Sequence, residues 1–249
     1  MKMAIHHKIQ SARRDGRKML SLLIDPDKLS REELAQLCAK AGQAKVDLIF
    51  VGGSLLIEDA LDECLENIKS QCSIPVVLFP GSILQISAKA DALLFLSLIS
   101  GRNPELLIGN HVKVAPYLKN LNLELLPTGY MLIDSGVPTT ASYISGSAPL
   151  PGNKPEIAAC TAMAGEMLGL QYIYLDGGSG ALKPVTASMI AAIRKSVDLP
   201  IIVGGGISTP EKAQRNCQAG ADIIVVGNAI EKNPDLLKDM AKAVHDVGN

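Results

Sequence analysis

The sequence predicts a (β/α)8 barrel of the TIM type, built by residues 1–249 as a single domain with a stunted or missing third helix. Three observations lead there. Eight short runs rich in Val, Ile and Leu alternate with helical patterns. The chain has 249 residues and is 47% hydrophobic, with no Trp and three Phe. That composition suits a parallel sheet buried on both faces. Only residues 81–91 separate the third and fourth strands, and a crossover with its own helix takes a dozen or more. An open doubly wound sheet is the alternative, but the first strand–helix unit carries no G-x-G-x-x-G.

The first strand is read at 19–25, MLSLLID. A helix follows over 30–44, with Ser30 as N-cap and Glu33 three residues on, a capping box. The second strand falls at 47–53 and its helix at 57–72. The third strand is at 75–80 and the fourth at 92–98, with a helix near 104–119. Pro127 cannot donate in a central ladder, so the fifth strand is placed after it, at 129–133. A helix near 155–169 leads to a strand at 172–177, and a helix at 186–197 leads to a strand at 200–206. Thr209 then caps a helix with Pro210 in its first position and Gly220 as terminator. The eighth strand spans 222–227, and residues 234–247 form the last helix. The segment 134–155, rich in Pro, Gly and Ser, is too long for an ordinary connection and is expected to be a lid or disordered.

Bulk properties exclude several classes. A net charge of −1 gives no reason to expect nucleic acid. Cys38, Cys64, Cys72, Cys160 and Cys217 form no C-x-x-C pair, so they read as small buried hydrophobes in a reducing compartment. No apolar run reaches the roughly 18 residues of a transmembrane span. The N-terminus is basic without a signal-like apolar stretch, and its adjacent His6 and His7 read as polar surface. A cytoplasmic protein is expected, and the apolar-rich chain points to a homo-oligomer.

In barrels of this kind the chemistry sits where strands end. All eight ends are small or polar: Asp25-Pro26-Asp27-Lys28, Gly52-Gly53-Ser54, Pro80-Gly81-Ser82, Ser100-Gly101-Arg102-Asn103, Asp134-Ser135-Gly136, Asp176 to Gly180, Gly204-Gly205-Gly206 and Gly227-Asn228. A tight turn explains any one of them; eight together make a ligand-lined rim. Bare backbone in loops six, seven and eight suits a phosphate held on N–H groups. Ser179 and Asn228 would add hydrogen bonds, and a Cβ at Gly205 or Gly206 would hold the oxygens away. Asp25 and Ser54 end neighbouring strands. A carboxylate, a hydroxyl and substrate oxygens together suit Mg2+, although an aspartate in such a turn also serves as a cap. Asp27 and Lys28 read as turn and surface charges. Tyr174 and Asp176 stand two residues apart on strand six and share its inward face. A carboxylate there needs a partner; a substrate hydroxyl is one, with Asp176 accepting its proton. Tyr174 either bonds the same ligand or is a core aromatic.

The set LIDPDK, VGGS, YLDGGSGA, VGGGI and VGNAI, in this order at strand ends, resembles the geranylgeranylglyceryl phosphate synthase family and its heptaprenylglyceryl relatives. SLISGRNPELLIGNH and PTGYMLID look like the second of its two main groups. The resemblance covers nearly the whole chain and extends to a reduced third helix. It implies prenyl transfer from a polyprenyl diphosphate to the 3-hydroxyl of sn-glycerol 1-phosphate, with Mg2+. Carried over by motif, it implies that Asp25 and Ser54 bind the metal. It likewise implies that Tyr174, Leu175, Asp176, Gly177, Gly178, Ser179, Gly180, Gly205, Gly206, Gly227 and Asn228 bind glycerol phosphate. Asp176 stands where many members have glutamate, one methylene longer. Arg102 and Asn103 either contact the diphosphate or form a helix-entry turn, and the gap at 81–91 is the candidate path for the prenyl chain.

Two other classes stay open from the sequence: another phosphosugar-barrel enzyme, an isomerase or lyase, and a non-catalytic phosphate-ligand sensor. A Schiff-base aldolase needs an inward strand lysine, which Lys18, Lys45 and Lys113 do not supply. A sensor would not need Asp25, Ser54 and Asp176 all facing the cup.

Overall fold

The computed structural model describes residues 3–58 and 60–248. Asp59, inside the helix expected at 57–72, lies outside them, as do Met1, Lys2 and Asn249. The strands are β1 (Met19–Ile24), β2 (Leu48–Val51), β3 (Val76–Leu78), β4 (Ala92–Leu98), β5 (Glu124–Leu132), β6 (Tyr172–Asp176), β7 (Ile201–Gly204) and β8 (Ile223–Val226). They pair in parallel in sequence order, and β8 closes onto β1, so the sheet is a closed barrel. Around and beside it lie α1 (Ala4–Arg14), α2 (Arg31–Gln43), α3 (Leu61–Gln71), α4 (Asn110–Asn120), α5 (Thr140–Ser145) and α6 (Pro155–Met167). The series ends with α7 (Ala187–Ser196), α8 (Pro210–Gln218), α9 (Asn228–Lys232) and α10 (Leu236–His245).

Period-two alternation divides each strand between two cores. Inward residues such as Leu48, Phe50, Leu94, Tyr174 and Ile202 fill the barrel, while outward ones such as Ile49, Leu93, Ile173 and Val203 pack under the helices. The expected caps form: Ser30 and Glu33 close a capping box, and Thr209 accepts from the Lys212 amide with Pro210 in the first turn. Residues 81–91 hold turns and no helix. Gln85 anchors them instead, its amide donating to the Gly53 carbonyl (2.9 Å) and its oxygen accepting from the Gly81 amide (3.0 Å). The outer wall of β3 and β4 is therefore left without its own helix.

Several expectations need correction. β5 begins at Glu124, and Pro127 lies inside it. In a parallel ladder the N and O of one residue face the same neighbour. The Pro127 carbonyl accepts from Gln171, just before β6 begins, so the missing N–H faces a loop and removes no ladder bond. The basic N-terminal stretch folds as α1, whose Ile5 and Ile9 plug the lower end of the barrel interior. Buried Glu124 accepts from the Ile5 and His6 amides (2.9 and 2.7 Å), and His6 Nδ1 pairs with the Tyr172 hydroxyl at 2.7 Å. His6 is thus part of the plug; His7 is surface. Segment 134–155 is ordered: α5 carries a capping box at Thr139, and Leu150 returns to pair beside Ile133. Cys38, Cys64 and Cys217 are buried, and burial pushes each thiol up to about 12. Cys72 is half-buried and Cys160 exposed, because α6 turns Cys160 away from the sheet.

Candidate active site

The carboxyl ends of all eight strands open into one cavity of about 710 Å3. Its floor is β6. Tyr174 and Asp176 both point inward, as period two requires. Asp176 is 8% exposed, and both of its oxygens are engaged. Oδ1 accepts from the Gly178 amide at 2.7 Å, and Oδ2 accepts from the Tyr130 hydroxyl at 2.6 Å. Burial pushes this carboxyl above the usual aspartate range, against the pull of those two hydrogen bonds, which favour the ionised form. The Tyr130 and Tyr174 phenols are pushed well above their ordinary value, first by burial and then by the Asp176 charge, so both stay protonated. The Tyr174 ring stacks on Phe79, centroids 4.9 Å apart, and meets Tyr130 edge-on at 5.5 Å.

Loops six, seven and eight form one wall. Ser179, Gly180, Gly205, Gly206, Gly227 and Asn228 line it, and Asn228 Nδ2 donates to Ser179 Oγ at 3.0 Å. Among the described residues, the amides of Ser179, Gly180, Gly205, Gly206 and Asn228 donate to no other group, so a ring of N–H donors is available to an anion. The glycines have reasons beyond an anion's approach. A Cβ at Gly204 would sit 2.8 Å from the Tyr174 hydroxyl. Gly205, at φ +82, would meet the Gly178 and Gly177 nitrogens at 2.6 and 2.7 Å. Loops six and seven pack backbone to backbone, and that packing, not only ligand oxygens, excludes a side chain.

Beside loop eight, across the closure of β8 onto β1, Asp25 lies against loop two: a Cβ on Gly53 would be 3.4 Å from its Oδ2. Ser54 follows, and both residues line the cavity. Lys28 turns inward rather than outward. Its Nζ is 3.3 Å from Asp25 Oδ2 and 3.4 Å from Glu231 Oε2. Asp27 Oδ2 accepts from the Ile57 amide at 2.5 Å, while its Oδ1 is buried without a hydrogen-bond partner among the described residues.

From this polar cup the cavity continues across the β3–β4 gap as an apolar groove. Ile86, Leu93, Phe95, Val114 and Leu118 line it, with His111 edge-on to Phe95 at 4.3 Å. Burial lowers the His111 pKa, so its ring is neutral in the groove at ordinary pH. From the other side Thr140, Ala141 and Ile144 of the 134–155 segment lean over the cavity.

Some expected site residues are elsewhere. The Leu175 side chain faces the helix layer and is fully buried there. The Gly177 amide is taken by the Gly204 carbonyl (3.0 Å), whereas Gly178 does line the cavity, with its amide donating to Asp176. Arg102 is exposed and bonds the Ile99 and Gly101 carbonyls, and Asn103 caps the Glu105 amide; neither lines the cavity. Both belong to a helix-entry turn. Conversely, Tyr130 is not among the expected site residues, although the strand expected at 129–133 contains it; it lines the cavity and bonds Asp176.

The chain was compared with known proteins. A family model described as the PcrB family matches residues 13–248. A protein named geranylgeranylglyceryl phosphate synthase in Chitinophaga pinensis is 59% identical over 245 residues, 97% of each chain. One of the same name in Pyrococcus furiosus is 42% identical over 228 residues, 91% of this chain and 88% of that one. The crystal structure of (S)-3-O-geranylgeranylglyceryl phosphate synthase from Thermoplasma acidophilum, in complex with substrate sn-glycerol-1-phosphate, superposes with a TM-score of 0.92 at 33% identity. That alignment covers 99% of this chain and 100% of the other. The family likeness read from the strand ends thus extends through the barrel that carries them, and this chain belongs to the PcrB family, among the geranylgeranylglyceryl phosphate synthases.

Proposed function

We propose that this chain is a prenyltransferase that moves a geranylgeranyl or similar polyprenyl group from its diphosphate to the 3-hydroxyl of sn-glycerol 1-phosphate. One observation carries the reading: a single cavity joins a cup of unpaired backbone amides to an apolar groove. A phosphosugar isomerase needs the cup alone; a lipid diphosphate needs both.

The glycerol phosphate binds with its phosphate on the amides of loops six to eight, helped by Ser179 and Asn228. Held there, its free hydroxyl reaches toward Asp176. The prenyl chain lies along Leu93, Phe95, Val114 and Leu118, which removes apolar surface from water and sets the allylic carbon at the cup. The diphosphate then faces Asp25, Ser54 and Lys28. Asp25 and Ser54 offer only oxygen, which suits Mg2+, an ion that keeps waters and substrate oxygens among its ligands. Bound by Asp25 and Ser54, the ion would neutralise charge on the departing diphosphate. Lys28 contributes a fixed positive charge on the same side. As the allylic carbon–oxygen bond stretches, the glycerol hydroxyl attacks and Asp176 is the final acceptor of its proton. Positioning and preorganised charge supply most of the acceleration.

The test is incubation with radiolabelled sn-glycerol 1-phosphate and C15, C20 or C35 prenyl diphosphates, followed by extraction. A labelled lipid that depends on both substrates is expected. No product with any chain length, from folded protein supplied with Mg2+, overturns the reading.

A further inference from the structure

We propose that Tyr130 is a further catalytic residue, a relay that takes the proton of the attacking hydroxyl and passes its own to Asp176. The inference rests on the prenyl-transfer reading above. Asp176 is a short side chain, 8% exposed, at the bottom of the cup. Its Oδ2 is 2.6 Å from the Tyr130 hydroxyl and its Oδ1 is held by the Gly178 amide at 2.7 Å. Tyr130 is less buried than Asp176 and lines the same cavity. It comes from the neighbouring strand, one inward position below the carboxylate: Tyr130 pairs with Tyr174, and Leu132 with Asp176. Its ring rises from there to set the hydroxyl beside the carboxylate, and of the pair Tyr130 is the more open to the cavity, so a hydroxyl seated in the cup has the phenol oxygen as well as the carboxylate before it. That oxygen has acceptor capacity to spare, because its own O–H is directed at Asp176. The phenol keeps its proton in the resting site, as a relay requires, since burial and the Asp176 charge both oppose phenolate.

The step balances. The bond from the glycerol oxygen to the allylic carbon forms while the bond from that carbon to the diphosphate oxygen breaks, and the electron pair leaves with the diphosphate. The glycerol O–H proton moves to the Tyr130 oxygen as the Tyr130 proton moves to Asp176 Oδ2. Tyr130 ends neutral, and Asp176 ends as the acid and releases its proton after the products depart.

The relay and a merely structural hydroxyl are separated by two variants and an isotope measurement. Tyr130→Phe keeps the ring and its packing, and its melting temperature checks the fold. For this variant we expect kcat lower by about a hundredfold, the low end for losing an acid–base group, with the KM for glycerol phosphate unchanged. Adding Asp176→Glu in the same chain is expected to restore at least tenfold of kcat, because one more methylene reaches across the vacated space. The unaltered enzyme is expected to show a curved proton inventory in mixed H2O and D2O, from two protons in flight, and the double variant a linear one. A normal kcat in Tyr130→Phe, no rescue by glutamate, or a linear inventory in the unaltered enzyme overturns the relay. These outcomes are read against product formation by the unaltered protein, so they leave the prenyl-transfer reading standing; only the absence of product there removes both.

Discussion

A Cβ on Gly205 would stand 2.6 Å from the backbone nitrogen of Gly178, so the sixth and seventh loops meet main chain to main chain. Gly205→Ala must separate them, and it must also hold alanine at φ +82, which by itself costs about 1–2 kcal/mol. Gly180 is the control. Its φ is +80, but a Cβ there meets nothing within 4 Å. Both alanine variants are expected to melt lower, by roughly 2–4 °C per kcal/mol for a chain of this size. Only Gly205→Ala should also lose calorimetric binding of glycerol phosphate, because it displaces the amides of loop six. Equal loss in the two variants would show that strain, not loop contact, is what matters.

Ser179 and Asn228 tie loop six to loop eight through a 3.0 Å hydrogen bond. In Ser179→Ala the hydroxyl disappears while the amide remains. Glycerol phosphate affinity should fall by about 1 kcal/mol, the net worth of one hydrogen bond, or about fivefold in Kd. Unchanged affinity would place the phosphate away from this wall.

How far the sequence disclosed these features depended on whether a local rule governed each one. The capping box at Ser30, the proline start of α8 and the absent third helix are set by residues close in the chain, and all three form as read. Tyr174 and Asp176 were legible because alternation fixes their face. Tyr130 lies inside the expected strand and obeys the same rule, but nothing local marks a lone tyrosine as the partner of a carboxylate on the next strand; that pairing comes from the β5–β6 register. The inward turn of Lys28 and the outward placement of Arg102 were not legible. The first depends on distant chain, since Glu231 draws Lys28 in; the second depends on the carbonyls of its own turn, which hold the Arg102 guanidinium. The α1 plug depends on Glu124, far along the chain, accepting its first amides.

The proposed role of Asp176 as proton acceptor and its burial make separate predictions. Asp176→Asn is expected to lower kcat by a hundredfold or more, the scale of a lost general base, and still to bind glycerol phosphate. In the unaltered enzyme the rate should rise with pH through a pKa above the usual aspartate range, because burial raises it. The stability effect has the opposite sense. A carboxyl whose folded pKa is raised favours folding at pH below its unfolded value, and that contribution is lost as pH rises through the folded pKa. Asparagine carries no such dependence. The melting temperature of Asp176→Asn relative to the unaltered protein should therefore climb as the pH rises above the ordinary aspartate range. A constant difference would show that the carboxyl is not perturbed in the folded state.

The Mg2+ proposal predicts that turnover stops in EDTA and returns when Mg2+ is added in excess. Asp25→Asn should raise the Mg2+ concentration needed for half-maximal rate while leaving calorimetric binding of glycerol phosphate, held on the amides of loops six to eight, unchanged. Full turnover in chelator would remove the ion from the reaction and leave Lys28 as the charge that faces the diphosphate.

The groove offers the cleanest separation between the two substrates. Val114 on α4 lines it together with Leu93, Phe95 and Leu118, whereas the cup of backbone amides is built by loops six to eight. Val114→Phe fills the channel with a ring yet stays apolar, so it adds no desolvation penalty of its own. Overpacking of this kind costs typically 1–3 kcal/mol, here paid where the outer wall of β4 lacks a covering third helix and the side chain has room to turn into the groove. The KM for a C20 or longer prenyl diphosphate should rise at least tenfold, whereas binding of glycerol phosphate in the absence of the second substrate should be unchanged. A variant that handles long prenyl diphosphates normally would mean that the chain leaves the cup by another route, and the 134–155 segment, whose Ile144 leans over the cavity, would be the wall to probe next.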